Sequence, residues 1–480
     1  MNNKTLAKNS LYNTLYSGFT VAFPLISITY LSKILLAEGI GKVEYARTVV
    51  TYFLTAASLG IPSYGVKIIA QAGNDATRRS RNFWEMFYLN FLSSIVCMIA
   101  YYIFITYNSY FYERRTLFYI MGSLLICNVA NIDWYYQGIE EYVYITQRSI
   151  VIRVITFILM IFFVRDTSDY MIYAVFICLA SIGNQAVNVW HLRKQISFVG
   201  FQKCTISRHV KPVLILFAAC IATEIYTMLD TILLEYFHGE IYVGYYSNCV
   251  KIVRLVYTMS TAMTATLYPR ISLLIREGKS EEVNALISMA TKILIIFSIP
   301  ASVGLYLVSD SIIIILLGDS FIPSVGCLRI LSVLVVVFSF AYLLGHVILM
   351  ASSNENRILF ATLCGAGINT VLNIILIPSY RNYGAAIASV IAEILVTIML
   401  LMKSSKIIKL SIEKSFVSSV LVATVIMIVS ISIAQTIAIH SGIKLLLCIL
   451  LGTVSYFSAL IALRKQIIAE LYTKVKRLKD

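Results

Sequence analysis

Apolar residues along this chain neither alternate with polar ones nor fall into narrow amphipathic stripes. They gather into long runs separated by short polar breaks. Alternation would mark strands, and a stripe would mark the surface helices of a soluble fold. Runs of about 20 mainly apolar residues mark helices that cross a bilayer. Fourteen such runs can be read: 11–35, 46–69, 83–107, 116–138, 144–164, 170–190, 212–236, 245–268, 287–308, 324–350, 357–377, 384–402, 415–437 and 443–463. The fourth fits least well, because it carries Asp133 and ends in the polar stretch from Gln137 to Glu141. The runs are roughly twice as long as a membrane-barrel strand requires. The expected fold class is an all-α polytopic membrane protein with about 14 transmembrane helices.

Every break is short. The longest internal one, 191–211, is basic and follows the sixth run. The expected organisation is a six-helix bundle (1–191), a basic linker (192–211), a second six-helix bundle (212–403), then two additional helices and a basic tail (404–480). No break can hold a soluble domain, which argues against a large extracytoplasmic catalytic or receptor domain. Gly41 and Tyr45, ahead of the second run, faintly echo Gly244 and Tyr246 at the eighth.

Composition supports the membrane reading. The chain is 59% hydrophobic and 13% charged, against about 25% charged in soluble domains. Its net charge of +15 reflects Lys and Arg gathered on one side. With both termini in the cytoplasm, 26 of the 33 basic residues assigned to the breaks and the ends of the runs fall on that side. No basic stretch with interleaved aromatics suggests a nucleic-acid partner. Nine cysteines are scattered singly, so neither a disulfide nor a metal cluster is expected. No cleavage pattern follows the first run, which reads as a retained helix. No Walker A, GxSxG, HExxH or GxGxxG motif occurs. The expectation is a transporter driven by an ion, potential or substrate gradient, with no catalytic residues and no cofactor.

Charges inside the runs are the candidate chemistry, since each costs roughly 2.5–3.5 kcal/mol at mid-bilayer. Lys292 and Arg329 lie near run ends and are expected to snorkel; Glu85 and Arg47 lie near the inner and outer surfaces. The deeper ones are Asp133, Arg153, Glu224, Asp230, Lys251, Arg254 and Glu393. Asp133 and Arg153 can pair across adjacent helices. Lys251 and Arg254, three apart, share a helix face. They can hold an anion, or simply neutralise Glu224 and Asp230. Glu224 and Glu393 can be protonated acids or coupling sites. Asn369 and Asn373 stack one turn apart, as do Ser389 and Glu393; such oxygens suit a hard cation or interhelical packing. The 32 tyrosines mostly suit the interface belt, and His346 is the one histidine deep in a run.

Several motifs then carry a resemblance. They are Leu36-Ala-Glu-Gly-Ile-Gly-Lys-Val-Glu-Tyr-Ala46, Leu59-Gly-Ile-Pro-Ser-Tyr-Gly-Val-Lys67, Asp133-Trp-Tyr-Tyr-Gln-Gly-Ile-Glu140, Val243-Gly-Tyr-Tyr-Ser247, Leu267-Tyr-Pro-Arg-Ile-Ser272 and, most specifically, Asn369 to Pro378 with Tyr383 to Glu393. Together they resemble the bacterial polysaccharide transporter family, the O-antigen and capsular-polysaccharide repeat-unit flippases of the multidrug, lipid and polysaccharide exporter superfamily. The resemblance implies two six-helix bundles around a central cavity. It implies ion-coupled transfer of an undecaprenyl-diphosphate-linked oligosaccharide across the cytoplasmic membrane. A polysaccharide polymerase and chain-length machinery are the expected protein partners.

By analogy with lipid II flippases, Arg47, Lys251 and Arg254 match headgroup-binding positions; the arginine those proteins carry on their first helix is missing between Leu11 and Leu31. Asp230, Asn369, Asn373 and Ser389 match sodium ligands, although the position of Asn373 is commonly an acid. The coupling ion is expected to be Na+ or H+, with Glu224 and Glu393 as further coupling candidates. Two alternatives are a multidrug or cation exporter of the same superfamily and an integral-membrane polysaccharide polymerase.

Overall fold

The computed structural model describes residues 3–463 except 74, 194, 202–204, 266, 406, 409–412 and 438–440. Among these, the regular elements are helical. They are α1 (Asn3–Ser58), α2 (Ile61–Ala72), α3 (Ala76–Tyr107), α4 (Arg115–Asn128), α5 (Asp133–Gly138), α6 (Tyr142–Phe163), α7 (Tyr170–Leu192), α8 (Ser207–His238) and α9 (Glu240–Ala265). They continue as α10 (Tyr268–Arg276), α11 (Ser280–Leu307), α12 (Ser309–Leu316), α13 (Val325–Leu331), α14 (Leu334–Tyr342), α15 (Glu355–Ser404), α16 (Lys414–Thr436) and α17 (Ser441–Leu463). A π-helical segment, Leu343–Leu349, follows α14.

Ten described helical stretches are long and apolar enough to cross a membrane, or eleven if one bent pair counts as a span. The expected fourteen is not reached on length and apolarity, for two reasons. The stretches Ile26–Ala72 and Glu355–Ser404 each count once but take in two expected runs, whose junctions carry a residue of positive φ, Leu36 (58°) and Arg381 (57°). Helix α9 is absent from the apolar set; Glu240, Lys251 and Arg254 all lie on it. The weak fourth run breaks at 129–132, and Asp133 opens α5.

The chain divides into two units, 1–244 and 245–480. Helix α8, grouped with the second bundle by the six-plus-six expectation, packs on α1 and α2 of the first. That unit centres on an aromatic cluster with Phe83, Trp134, Tyr135 and Tyr136 at its heart. A close backbone crossing closes its other end. A methyl group at Gly41 would overlap the Glu240 carbonyl, and one at Gly244 would overlap the Ala37 carbonyl. The two glycines that echo each other in sequence thus face the same crossing, each needed because the other backbone lies where a Cβ would be.

The second unit is built on apolar packing. One cluster joins α10, α11, the π-helical segment and α15 through Ile271, Leu294, Val347 and Leu400. The other joins α11, α16 and α17 through Phe416, Val420 and Met427, and Tyr456 donates a hydrogen bond to the Ile296 carbonyl at 2.8 Å. On α15, the buried residues Ala361, Gly365, Asn369, Asn373 and Ile377 recur every fourth position. That spacing makes one inward stripe with small and amide side chains at its centre. His346 is exposed and packs beside Tyr342, with ring centroids 5.1 Å apart.

Candidate functional site

Polar and apolar residues of the first unit together line a cavity of about 330 Å³. Its wall includes Ser58 of α1, Asn128 and Asn131 around the end of α4, Gln185 of α7, and Glu224 of α8. The break after α4 contributes polar groups to it, because the chain leaves the helix at Asn128 and frees its last carbonyls. Those groups are bound in turn. Asn90 of α3 donates to the Asn128 carbonyl at 2.8 Å, and Ser58 donates to Asn128 Oδ1 at 2.8 Å. Asn128 Nδ2 donates to Ser94 at 3.1 Å. Glu224, half-buried, is the one carboxylate among the described lining residues.

Gln185 connects this cavity to an ionic network. Asn188, fully buried, donates to Gln185 at 3.2 Å and to Asp133 at 2.7 Å, and accepts from Arg148. Arg148 pairs with Asp133 at 3.0 Å. The expected partner of Asp133 was Arg153. The helix is the right one, but the break at 129–132 sets Asp133 against the first turns of α6, where Arg148 stands. A buried acid, Glu85, accepts from the Thr205 amide at 2.8 Å, from Arg208 at 2.5 Å and lies 2.8 Å from His209. Another, Glu235, pairs with Arg114 at 2.5 Å and accepts from Tyr110. Arg114 also reaches Glu240 at 2.7 Å.

The matched anion-binding residues fare differently from one another. Arg47 stands on the second half of α1, more than half exposed, 4.0 Å from Glu44. On α9, Lys251 is half-buried and Arg254 exposed, while their neighbours Ile252 and Val253 are buried. Arg254 makes no ion pair or hydrogen bond among the described residues. It lies 14 residues from Glu240 and 11 from Ala265, about 21 and 17 Å from the two helix ends at 1.5 Å per residue. It is therefore deeper than a helix starting at residue 245 would place it. The two near-surface cations have partners: Lys292 lies 3.7 Å from Glu413, and Arg329 pairs with Asp310.

The matched sodium residues divide between the units. Asp230 is buried on α8 in the first. In the second, Asn373 donates to Asn369 Oδ1 at 2.9 Å, and Ser389 lies 2.9 Å from the Tyr246 hydroxyl. Glu393 is buried one turn beyond Ser389. Sequence reasoning missed Arg148, Asn188, Asn128 and Glu235. A usable signal existed only for Arg148, a cation one turn inside its run.

Residues 6–274 match the polysaccharide biosynthesis protein family, and residues 145–452 match the lipid II flippase MurJ family. A protein of Escherichia coli (strain K12) named "Putative O-antigen transporter" is 25% identical over 415 residues, covering 84% of this chain and 97% of that protein. One of the same name in Shigella dysenteriae is 21% identical over 401 residues, covering 82% and 99%. Among solved structures, lipid II flippase MurJ in an inward closed conformation superimposes with a TM-score of 0.79 at 15% identity, over 95% of this chain and 99% of that one. An inward-facing multidrug resistance MATE transporter superimposes at 0.62 and 13% identity, over 82% and 94%. The two structural likenesses carry the fold alone. With more than half of its length matched to one family, the chain belongs to the polysaccharide biosynthesis protein family, that of the O-antigen flippases.

Proposed function

We propose that this multi-pass membrane protein moves an undecaprenyl-diphosphate-linked oligosaccharide repeat unit from the inner to the outer leaflet of the cytoplasmic membrane. The observation that carries the reading is Arg254. A guanidinium with no ion pair among the described residues, some 17–21 Å from either end of its helix, is costly, and an anionic headgroup offsets that cost. A diphosphate needs the same contact, since its charge cannot enter a low-dielectric layer alone. Arg254 offers two parallel donors to phosphate oxygens, with Lys251 as a point charge on the same face and Arg47 a further cation.

Both termini are assigned to the cytoplasm by the Lys and Arg bias. Coupling is assigned to Na+ or H+. Glu224 in its polar cavity is the proton-accepting candidate, and Asp230, Asn369, Asn373, Ser389 and Glu393 are the remaining candidates. A polymerase and chain-length machinery are the assigned downstream partners.

The test is complementation of a deletion strain. Arg254→Ala should abolish surface polysaccharide and leave lipid-linked repeat units on the inner face, while the protein accumulates normally. Arg254→Lys should retain part of the export. Normal display with Arg254→Ala overturns the assignment. For orientation, a cysteine at Ser379 should label from outside intact cells and one at Ser207 should not. For coupling, Glu224→Gln should remove the dependence of flux on an imposed pH gradient, and Asp230→Ala its dependence on a sodium gradient.

A further inference from the structure

A second cavity in the first unit, about 500 Å³, lies where the end of α2 meets the starts of α3 and α8. Arg78, Arg81 and Arg208 stand exposed around it, and the buried Asn82 and His209 contribute to its lining. The one acid of its lining, Asp75, and the Glu85 carboxylate beneath it are already committed. Glu85, beneath His209, is fully buried against Arg208, His209 and the Thr205 amide. Asp75 caps α3 by accepting from the Arg78 amide at 2.9 Å. Tyr64 holds the other ring nitrogen of His209 at 3.0 Å, and Arg208 donates to Asn82 at 3.3 Å. The lining is thus rigid, while Arg78 and Arg81, three residues apart on one helix face, have no ion pair among the described residues.

Aromatic side chains set the depth of this cavity. One turn beyond Arg81, Trp84 donates to the Ser197 carbonyl at 3.0 Å, and Tyr88 to the Val199 carbonyl at 3.0 Å. These bonds lay the segment 197–201 along α3, with Phe198 and Phe201 more than half exposed. Tryptophan and tyrosine beside exposed phenylalanines mark the level of lipid headgroups. A ring of guanidiniums at that level faces phosphates.

We propose that this cavity binds the phosphate of a lipid headgroup from the leaflet it faces, with Arg78 and Arg81 as the contacting cations and Arg208 held as a third. Two lipids carry that chemistry, an anionic phospholipid and the diphosphate-linked carrier. The second source rests on the transport reading above, and the site is distinct from Arg254.

The experiment counts lipid bound to the purified full-length protein by mass spectrometry from detergent micelles, with undecaprenyl diphosphate and phosphatidylglycerol titrated separately. Arg78→Gln with Arg81→Gln touches no ion pair, so its thermal unfolding midpoint should match the parent's. The double variant should weaken binding of at least one of these lipids about tenfold, the scale of one charge-assisted contact, and flatten its salt dependence. Loss confined to undecaprenyl diphosphate makes the cavity a loading site; loss confined to phosphatidylglycerol makes it a phospholipid site. Arg254→Ala should leave this binding intact even where export is lost, so failure of the transport reading and failure of this one give different results. Unchanged binding of both lipids by the double variant overturns the proposal, as does loss in Arg254→Ala alone. The measurement is blind to orientation.

Discussion

The two units bury charge differently. In the first, the central pairs have one partner almost withdrawn from solvent: Glu85 with Arg208 and His209, Arg148 with Asp133, Glu235 with Arg114. In the second, three pairs, Lys292 with Glu413, Arg329 with Asp310 and Lys279 with Glu277, keep both partners at least 17% exposed. The second unit relies instead on apolar clusters and amide or hydroxyl contacts. The lesson concerns cavities. Both cavities described above are lined by the first unit, and an ionic network borders each one. Lipid offers apolar side chains no gain from mutual burial, so polar groups there must be tied by hydrogen bonds or face a cavity. The first unit does both.

The comparison breaks if buried and exposed pairs prove equally important. Asp133→Ala leaves Arg148 buried with Asn188 but without an anion, and should destabilise the purified protein by about 3–5 kcal/mol. Combining it with Arg148→Met should recover most of that loss, because no charge is then stranded. The counterpart in the second unit, Glu413→Ala, should cost under about 1 kcal/mol, since Glu413 itself is 61% exposed and its contact with Lys292 is long, at 3.7 Å. Chemical or thermal unfolding in detergent measures all three. Equal losses for Asp133→Ala and Glu413→Ala would erase the distinction between the units.

A smaller effect is expected at the backbone crossing. Gly41→Ala places a methyl on the Glu240 carbonyl, and Gly244→Ala one on the Ala37 carbonyl. Backbone cannot rotate away as a side chain can, so each should cost about 1–3 kcal/mol. The double change should cost less than the sum, because the first separation of the two helices makes room for the second methyl. Strict additivity would mean that the two glycines relieve separate clashes.

Much of this was legible because a bilayer enforces a simple rule: spans must be long and apolar, and exceptions must have reasons. The apolar runs follow from it, and so does the choice of charges inside them as candidates. Partners were less legible. Asp133 and Arg153 looked well matched only while the fourth run was taken as continuous, and its break at 129–132 changes the register by more than a turn. The start of α9 was missed for a related reason, since Gly239 ends α8 and Glu240 begins α9 with no loop between them. The cavity around Asn128 was invisible, because asparagines on different helices converge only once those helices are packed.

The smallest predicted effect tests whether the amide pair of the second unit is packing or a site. Asn369 and Asn373 occupy the centre of the buried stripe on α15, between Gly365 and Ile377, and already bond to each other. Side-chain hydrogen bonds inside membranes average about 0.6 kcal/mol, so Asn373→Ala should lower stability by about that much if the pair only joins helices. A sodium ligand would behave differently. Sodium would then stabilise the parent, by roughly 2.7 kcal/mol at a hundredfold excess over its dissociation constant, and Asn373→Ala would lose that increment as well. Potassium at the same ionic strength controls for screening. A sodium-specific rise in the unfolding midpoint that disappears in Asn373→Ala assigns the amide to a cation site, and the second unit then has a polar function of its own. A rise absent from the parent leaves the stripe as packing, and the contrast between the two units stands.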